Sequence, residues 1–253
     1  MNEKQKKIKQ FFDKNDTIQV IFYPIYILII MEILKIFNIV DIVKTVTSNF
    51  FIKMNIFYLI LILLFEYLII KFIDKKITKY FFDNEKSLFF YLWGKLGYTI
   101  GKGDISVAIL SIVVIFIRFL NINKEIEKIF LISIIASVYS GIFVNIIKPF
   151  ITRKRPERTL NNLELFKFKE ALSKKKMFKH EYLSSPSGHT TSIFASMIPL
   201  YLYYNNIIFI FIACFVGIAR IISKKHWTSD VILGAFLGIT IGYYFYEYFL
   251  LII

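Results

Sequence analysis

The sequence predicts an all-α membrane helix bundle with six or seven transmembrane helices. Two observations carry this. First, 57% of the 253 residues are hydrophobic, above the roughly 45–50% of soluble domains. Second, the excess is gathered into blocks about 20 residues long, the length an α-helix needs to cross a hydrocarbon core. The blocks are apolar all round and lack the amphipathic stripe of a helix buried in a soluble enzyme.

In chain order the blocks cover residues 18–40, 55–73, 105–120, 129–147, 188–204, 207–222 and 231–251. The first follows a basic N-terminus, as a secretory signal does. It is too long for a signal core and no small-residue cleavage site follows it, so it is read as retained. It carries Pro24, Glu32 and Lys35; lying in the interface rather than across the membrane, it leaves six spans instead of seven. Residues 74–104 form a long aromatic and basic connection, expected on the membrane surface where Tyr and Trp favour the head-group level. Residues 148–187 form a second, rich in Lys and Arg, whose centre "LFKFKEALSKKKMF" suits a short interfacial helix. Tyr204-Asn205-Asn206-Ile207 reads as a tight turn between two spans. No internal repeat is visible.

A formal net charge of +14 suggests nucleic acid in a soluble protein. Here basic loops meeting anionic head groups account for it, so membrane lipid is the expected partner and nucleic acid is not. A single cysteine, Cys214, lies inside an apolar block and excludes an intrachain disulfide.

Residues 148–187 and 223–230 are separated by two spans and therefore emerge on the same face. Three polar clusters stand there: "KPFITRKRP" with Lys148 and Arg155, "PSGH" from Pro186 to His189, and "RIISKKHWTSD" with Arg220, His226 and Asp230. Each alone has a plain reading: head-group anchors, a helix N-cap, a salt-bridged pair one helical turn apart. Together they hold two of the chain's three histidines. A helix start at Gly188 offers free N–H groups and the positive end of a dipole, an anion site. Lys148, Arg155 and Arg220 converge on the same face, and arginine's planar fork suits phosphate oxygens. The expected ligand is a phosphate group.

An imidazole can attack phosphorus while a carboxylate holds its tautomer. Asp230 is placed to do this for His226, which leaves His189 as the acid for the leaving oxygen. Spacing favours that assignment only through the neighbourhood of Asp230. Lys148, Arg155, Ser187, the Gly188 N–H and Arg220 could supply donors for developing charge. The short polar connections hold no acidic cluster of the kind Mg²⁺ sites use, so neither metal nor other cofactor is expected. His180, in the basic loop, reads as a solvated or interfacial residue.

Lys148-x6-Arg155-Pro156, Pro186-Ser187-Gly188-His189 and Arg220-x5-His226-x3-Asp230 resemble, in order and spacing, the three signature motifs of the type 2 phosphatidic acid phosphatases. "HWTSDVILGAFLG" resembles the third motif and the helix after it. The likeness starts near "GKLGYTIGKGD". It divides the chain into residues 1–93, an N-terminal basic segment with one or two spans and an interfacial loop, and 94–253, a catalytic membrane domain. It implies metal-independent hydrolysis of a lipid phosphate monoester or diphosphate through a phosphohistidine on His226. Asp230 would orient that ring, His189 would be the acid, and Lys148, Arg155, Ser187, Gly188 and Arg220 would bind phosphate.

Phosphatidic acid, phosphatidylglycerol phosphate, undecaprenyl diphosphate and lipid A phosphates are the substrates such a site implies. One departure is Ala219, where the family usually has Ser, which removes a donor. Soluble vanadium haloperoxidases share the constellation, but the apolar spans argue against that function. A lipid phosphotransferase and a non-enzymatic transport or scaffold protein with a phosphate-binding loop remain as alternatives. The setting implied is a multi-pass place in a cell membrane, the bacterial inner membrane, with the active face turned outward as in many bacterial relatives. Seven spans with basic loops on the N-terminal side would instead turn it to the cytoplasm.

Overall fold

In a computed structural model, residues 38–53, 56–84, 86–158, 168–173 and 179–253 are described. The expected span 18–40 lies almost wholly outside them. Among the described residues the chain is helical, with one isolated backbone bridge between Arg153 and Leu183. Helix α1 is Ile39–Lys53. Helix α2, Ile56–Ile69, runs through a π-helical turn, Ile70–Asp74, into α3, Lys75–Asp83. Then come α4 Leu88–Gly101, α5 Gly103–Phe119, α6 Lys124–Ile151, the short α7 Phe168–Ser173, α8 Gly188–Tyr204, α9 Ile208–Ile222 and α10 Thr228–Leu250.

Helix α8 is the centre, packed against α6, α9 and α10 and buried from Thr190 to Leu200. Its interior is apolar or small. Two of its buried hydroxyls are satisfied by the helix's own backbone: Thr191 Oγ1 donates to Ser187 O at 2.9 Å and Ser196 Oγ to Ile193 O at 3.0 Å. Helix α10 presents Gly234, Gly238 and Gly242, four residues apart and so on one face. A Cβ on Gly238 would lie 2.5 Å from Thr191 O and 2.6 Å from Phe194 Cβ. The two backbones touch because these positions carry no side chain. Gly238→Val should therefore cost about 1–3 kcal/mol by overpacking, read as a lower thermal midpoint in detergent. Gly103→Ala, whose added Cβ meets nothing within 4 Å, is the control and should leave the midpoint in place.

The outside of the bundle is apolar. Leu61, Leu64, Phe65, Phe116, Ile142, Ile146 and Phe211 are all exposed, a surface that lipid rather than water covers. By length and composition, α6 and α10 are each able to cross a bilayer, and α4 with α5 would make a third span if that pair, bent by 66°, counts as one. Helix α9 is apolar but has only 15 residues, about 22 Å at 1.5 Å per residue.

The stretch 74–104 is helix rather than surface loop. Helix α4 lies along α9 through Gly94, Gly97 and Gly101, all buried. A Cβ on Gly97 would fall 2.2 Å from the Ala219 methyl. Trp93 stacks on Phe215 at 5.4 Å and its indole N–H donates to Phe215 O at 3.1 Å. The tryptophan that suggested a head-group anchor thus packs on a neighbouring helix. Within the basic loop the described residues hold one short α-helix, α7, six residues long. The turn after α8 closes as expected, with Asn205 left-handed at φ 47° and the Asn206 Oδ1 accepting the Ile208 N–H at 3.0 Å.

Candidate active site

The three polar clusters meet, and their backbones bind one another. Ser184 N donates to Arg153 O and Arg155 N to Glu181 O, both at 3.1 Å, which joins the first cluster to the segment leading into the second. Ser187 N donates to Asp230 O at 2.9 Å, joining the second to the third. Trp227 closes the ring, its indole N–H on Lys154 O at 2.9 Å. Helix α6 delivers Lys148 in its last turn and stops at Thr152, left-handed at φ 42° with its N–H on Lys148 O. A cavity of about 1000 Å³ opens over this junction, lined by Lys148, Arg155, Gly188, His189, Arg220 and His226 among others.

His226 is buried at 1% exposure. Its Nδ1 lies 2.7 Å from Ser184 O. A carbonyl only accepts, so Nδ1 carries the proton and Nε2 keeps its lone pair. Nε2 lies 3.3 Å from Arg155 Nη1. Asp230 does not hold the ring directly: its Oδ2 is 3.8 Å from Nδ1. It accepts instead from the Ser184 hydroxyl, from Trp227 N at 2.9 Å and from Arg153 Nη1 at 2.6 Å. Ser184 is the link, its carbonyl on His226 and its hydroxyl on Asp230.

Arg155 is mainly a staple. Its Nε donates to His180 O at 2.8 Å, Nη1 to Lys225 O at 2.9 Å and Nη2 to Leu183 O at 3.1 Å. Of five N–H groups, this leaves one on Nη2 and the one aimed at His226 Nε2. Burial lowers the Arg155 guanidinium to about 10, so it stays charged at neutral pH. Arg220 differs: at 2% exposure, its Nε and Nη1 have no hydrogen-bond partner. His189 Nε2 is likewise buried without one. Orphaned buried donors cost free energy unless a ligand engages them, and an oxyanion would satisfy both. Gly188 permits the approach of Lys148, whose Nζ would lie 3.3 Å from an added Cβ.

Tyr98 was not singled out from the sequence. Its ring stacks on His189 at 5.3 Å and faces the Arg220 guanidinium at 5.0 Å. It braces two cavity groups from α4. Two expected site residues lie elsewhere. Ser187 sits at the N-cap position of α8 but its side chain caps nothing. It is fully buried behind the cavity, its Oγ accepting from Thr190 Oγ1 at 2.9 Å. Asp230 is fully buried beneath His226. His180 is exposed at the cavity wall, as read from the sequence. Ala219 lines no part of the cavity and packs on Gly97; the serine usual in the family would meet α4 there. Among the described residues no cluster of acidic, His or Cys side chains suits a metal ion.

Burial holds the His226 imidazole well below its ordinary 6.5, and Arg155, Arg220 and Lys148 add to that. The Asp230 carboxylate, 3.8 Å away, acts the other way without reversing it. The folded state therefore excludes a proton that the unfolded chain binds. By linkage this stability is full above pH about 6.5 and is lost as pH falls below it. The thermal midpoint should drop between pH about 7.5 and about 5.5, and His226→Gln should drop less.

Comparison with known proteins follows the same residues. The family model of the PAP2 superfamily matches residues 128–252. A lipid A 1-phosphatase of Porphyromonas gingivalis is 40% identical over 65 residues, 23% of this chain and 15% of that protein. Lipid A 1-phosphatases of Rhizobium johnstonii and Rhizobium etli are each 33% identical over 103 residues, 40% of this chain, and 40% and 42% of theirs. The chain thus spans less than half the length of these relatives. No solved structure matches it. The matched residues 128–252 contain Lys148, Arg155, His189, Arg220, His226 and Asp230, and through them the chain belongs to the PAP2 superfamily.

Proposed function

We propose that the chain is a membrane lipid phosphatase that uses His226 as nucleophile. The observation that carries this is the lone pair of His226 Nε2, turned beside Arg155 into a cavity where Arg220 and His189 hold unpartnered nitrogens. A phosphate between Lys148, Arg155, Arg220 and the N-terminus of α8 gains charge-assisted hydrogen bonds. Nε2 attacks phosphorus opposite the ester oxygen. The P–O bond breaks, protonated His189 gives its proton to the leaving alkoxide, and the phosphoryl group rests on His226. His189, now neutral, takes a proton from water, whose oxygen attacks phosphorus. The N–P bond breaks, phosphate leaves, and His226 regains its lone pair. Asp230, through Ser184 and its own charge, supports the cationic ring of the intermediate.

The cavity wall is cationic, which favours the substrate anion and repels a divalent ion, so the reaction proceeds without metal. The substrate tail lies among the apolar outer faces while its head group enters the cavity. At about 1000 Å³ the cavity stands at the upper end of small-ligand pockets. That volume accepts a bulky head group, and the relatives are named for lipid A 1-phosphate. A phosphorylated glycolipid therefore leads a panel with phosphatidic acid, phosphatidylglycerol phosphate and undecaprenyl diphosphate. Purified protein in detergent with EDTA should release phosphate from at least one of them. No release from any, or release only with Mg²⁺, would reject this reading.

A further inference from the structure

The site has a second tier that the three motifs do not contain. Asp74, at the end of the π-helical turn, is fully buried, and it lies outside the residues matched by the family model. Its Oδ2 accepts from Arg153 Nη2 at 2.7 Å and from Ser229 Oγ at 2.6 Å, and its Oδ1 accepts from Ser229 N at 2.9 Å. Arg153, 1% exposed, turns Nη1 to Asp230 Oδ1 and to Ser229 Oγ, both at 2.6 Å, and lays its guanidinium over the Trp227 ring at 5.3 Å.

Helix α10 explains why a distant carboxylate is needed. Its N-cap residue is Trp227, whose side chain has no acceptor. The first N–H groups of a helix have no partner within it. Asp74 takes the Ser229 N–H from another helix, as an Asp at the N-cap would, and sits at the positive end of the dipole.

We propose that Asp74 is a positioning residue for the His226 reaction, acting through Arg153, Asp230 and Ser184. This rests on the function proposed above. Arg153 alone with Asp230 would form a neutral pair. With Asp74 on its other edge, the arginine is shared by two carboxylates, so the Asp230 charge is not cancelled by Arg153 alone and stays available to the cationic His226 ring. The same clamp fixes Ser229 and with it the first turn of α10, from which Asp230 projects. None of these groups lines the cavity, so the effect belongs to the chemical step and not to phosphate binding.

The test uses the full chain in detergent. Hydrolysis of dioctanoyl phosphatidic acid and of the lipid panel is measured alongside ¹⁵N-imidazole NMR of histidine-labelled protein. Asp74→Asn keeps the shape and removes the charge. It should lower kcat about tenfold or more with KM within about twofold, and move the His226 ring nitrogens while those of His189 stay. Ser229→Ala, a milder change that keeps both carboxylates, should lower kcat in the same direction by about threefold; it carries the test if Asp74→Asn does not fold. Unchanged kcat, a KM rise matching the kcat loss, or His189 and His226 signals moving together would overturn the proposal. Wild-type protein that hydrolyses nothing would reject the phosphatase reading, while the nitrogen resonances would still decide whether Asp74 reaches His226.

Discussion

His226→Ala should abolish turnover, with kcat lower by about 10⁴-fold or more, the scale seen when a nucleophile is removed. His226 Nε2 is the ring nitrogen left with a lone pair, since Nδ1 donates to Ser184 O at 2.7 Å. Orphaned His189 Nε2 belongs to a ring stacked on Tyr98 and lacks the carbonyl and carboxylate support of His226. Lys148, Arg155 and Arg220 are untouched by the change, so on the proposed reading His226→Ala should still bind orthovanadate or phosphate. Loss of turnover with anion binding retained separates a chemical role from collapse of the site. Residual turnover near that of wild type would reject the nucleophile assignment.

Arg153→Met should be the most destabilising single change in the site, by about 3–5 kcal/mol, the cost of breaking a buried ion pair from one side. It leaves Asp74 and Asp230 facing each other, both fully buried, with the arginine's bonds to both and to Ser229 gone. Unfolding in detergent would read the loss directly. Adding Asp74→Asn to Arg153→Met removes one of the stranded charges and should recover part of it, so the two changes are not additive. A fully additive cycle would mean that the two side chains are energetically independent despite the 2.7 Å contact.

The helical blocks were legible because lipid forces apolarity on all sides of a spanning helix, and α6, α8, α9 and α10 fall within a few residues of where the apolar runs place them. The convergence of Lys148, His189, Arg220 and His226 was legible from an even number of spans between the clusters. What escaped depends on packing that one sequence does not display. Helix α4 reads as aromatic and basic, and its meaning lies in Gly94, Gly97 and Gly101 on one face, a spacing that could have marked it as a helix contact. Asp74 reads as the polar end of an apolar block, and nothing local tells it from a head-group charge. Arg153 stands among three neighbouring basic residues, and only the bundle turns it inward while Arg155 staples three backbone segments. The direct His226–Asp230 contact suggested by their spacing gives way to Ser184, because Asp230 already caps Trp227 N and binds Arg153.

The proposed phosphohistidine on His226 can be trapped. Purified protein is mixed with a ³²P-labelled lipid phosphate that it hydrolyses, quenched within a single turnover, and digested. Label that is stable in base, labile in acid and confined to the peptide carrying His226 is expected, with none in His226→Ala. Turnover without any covalent label, or label on His189 or on a serine, would contradict the assignment of His226 as nucleophile.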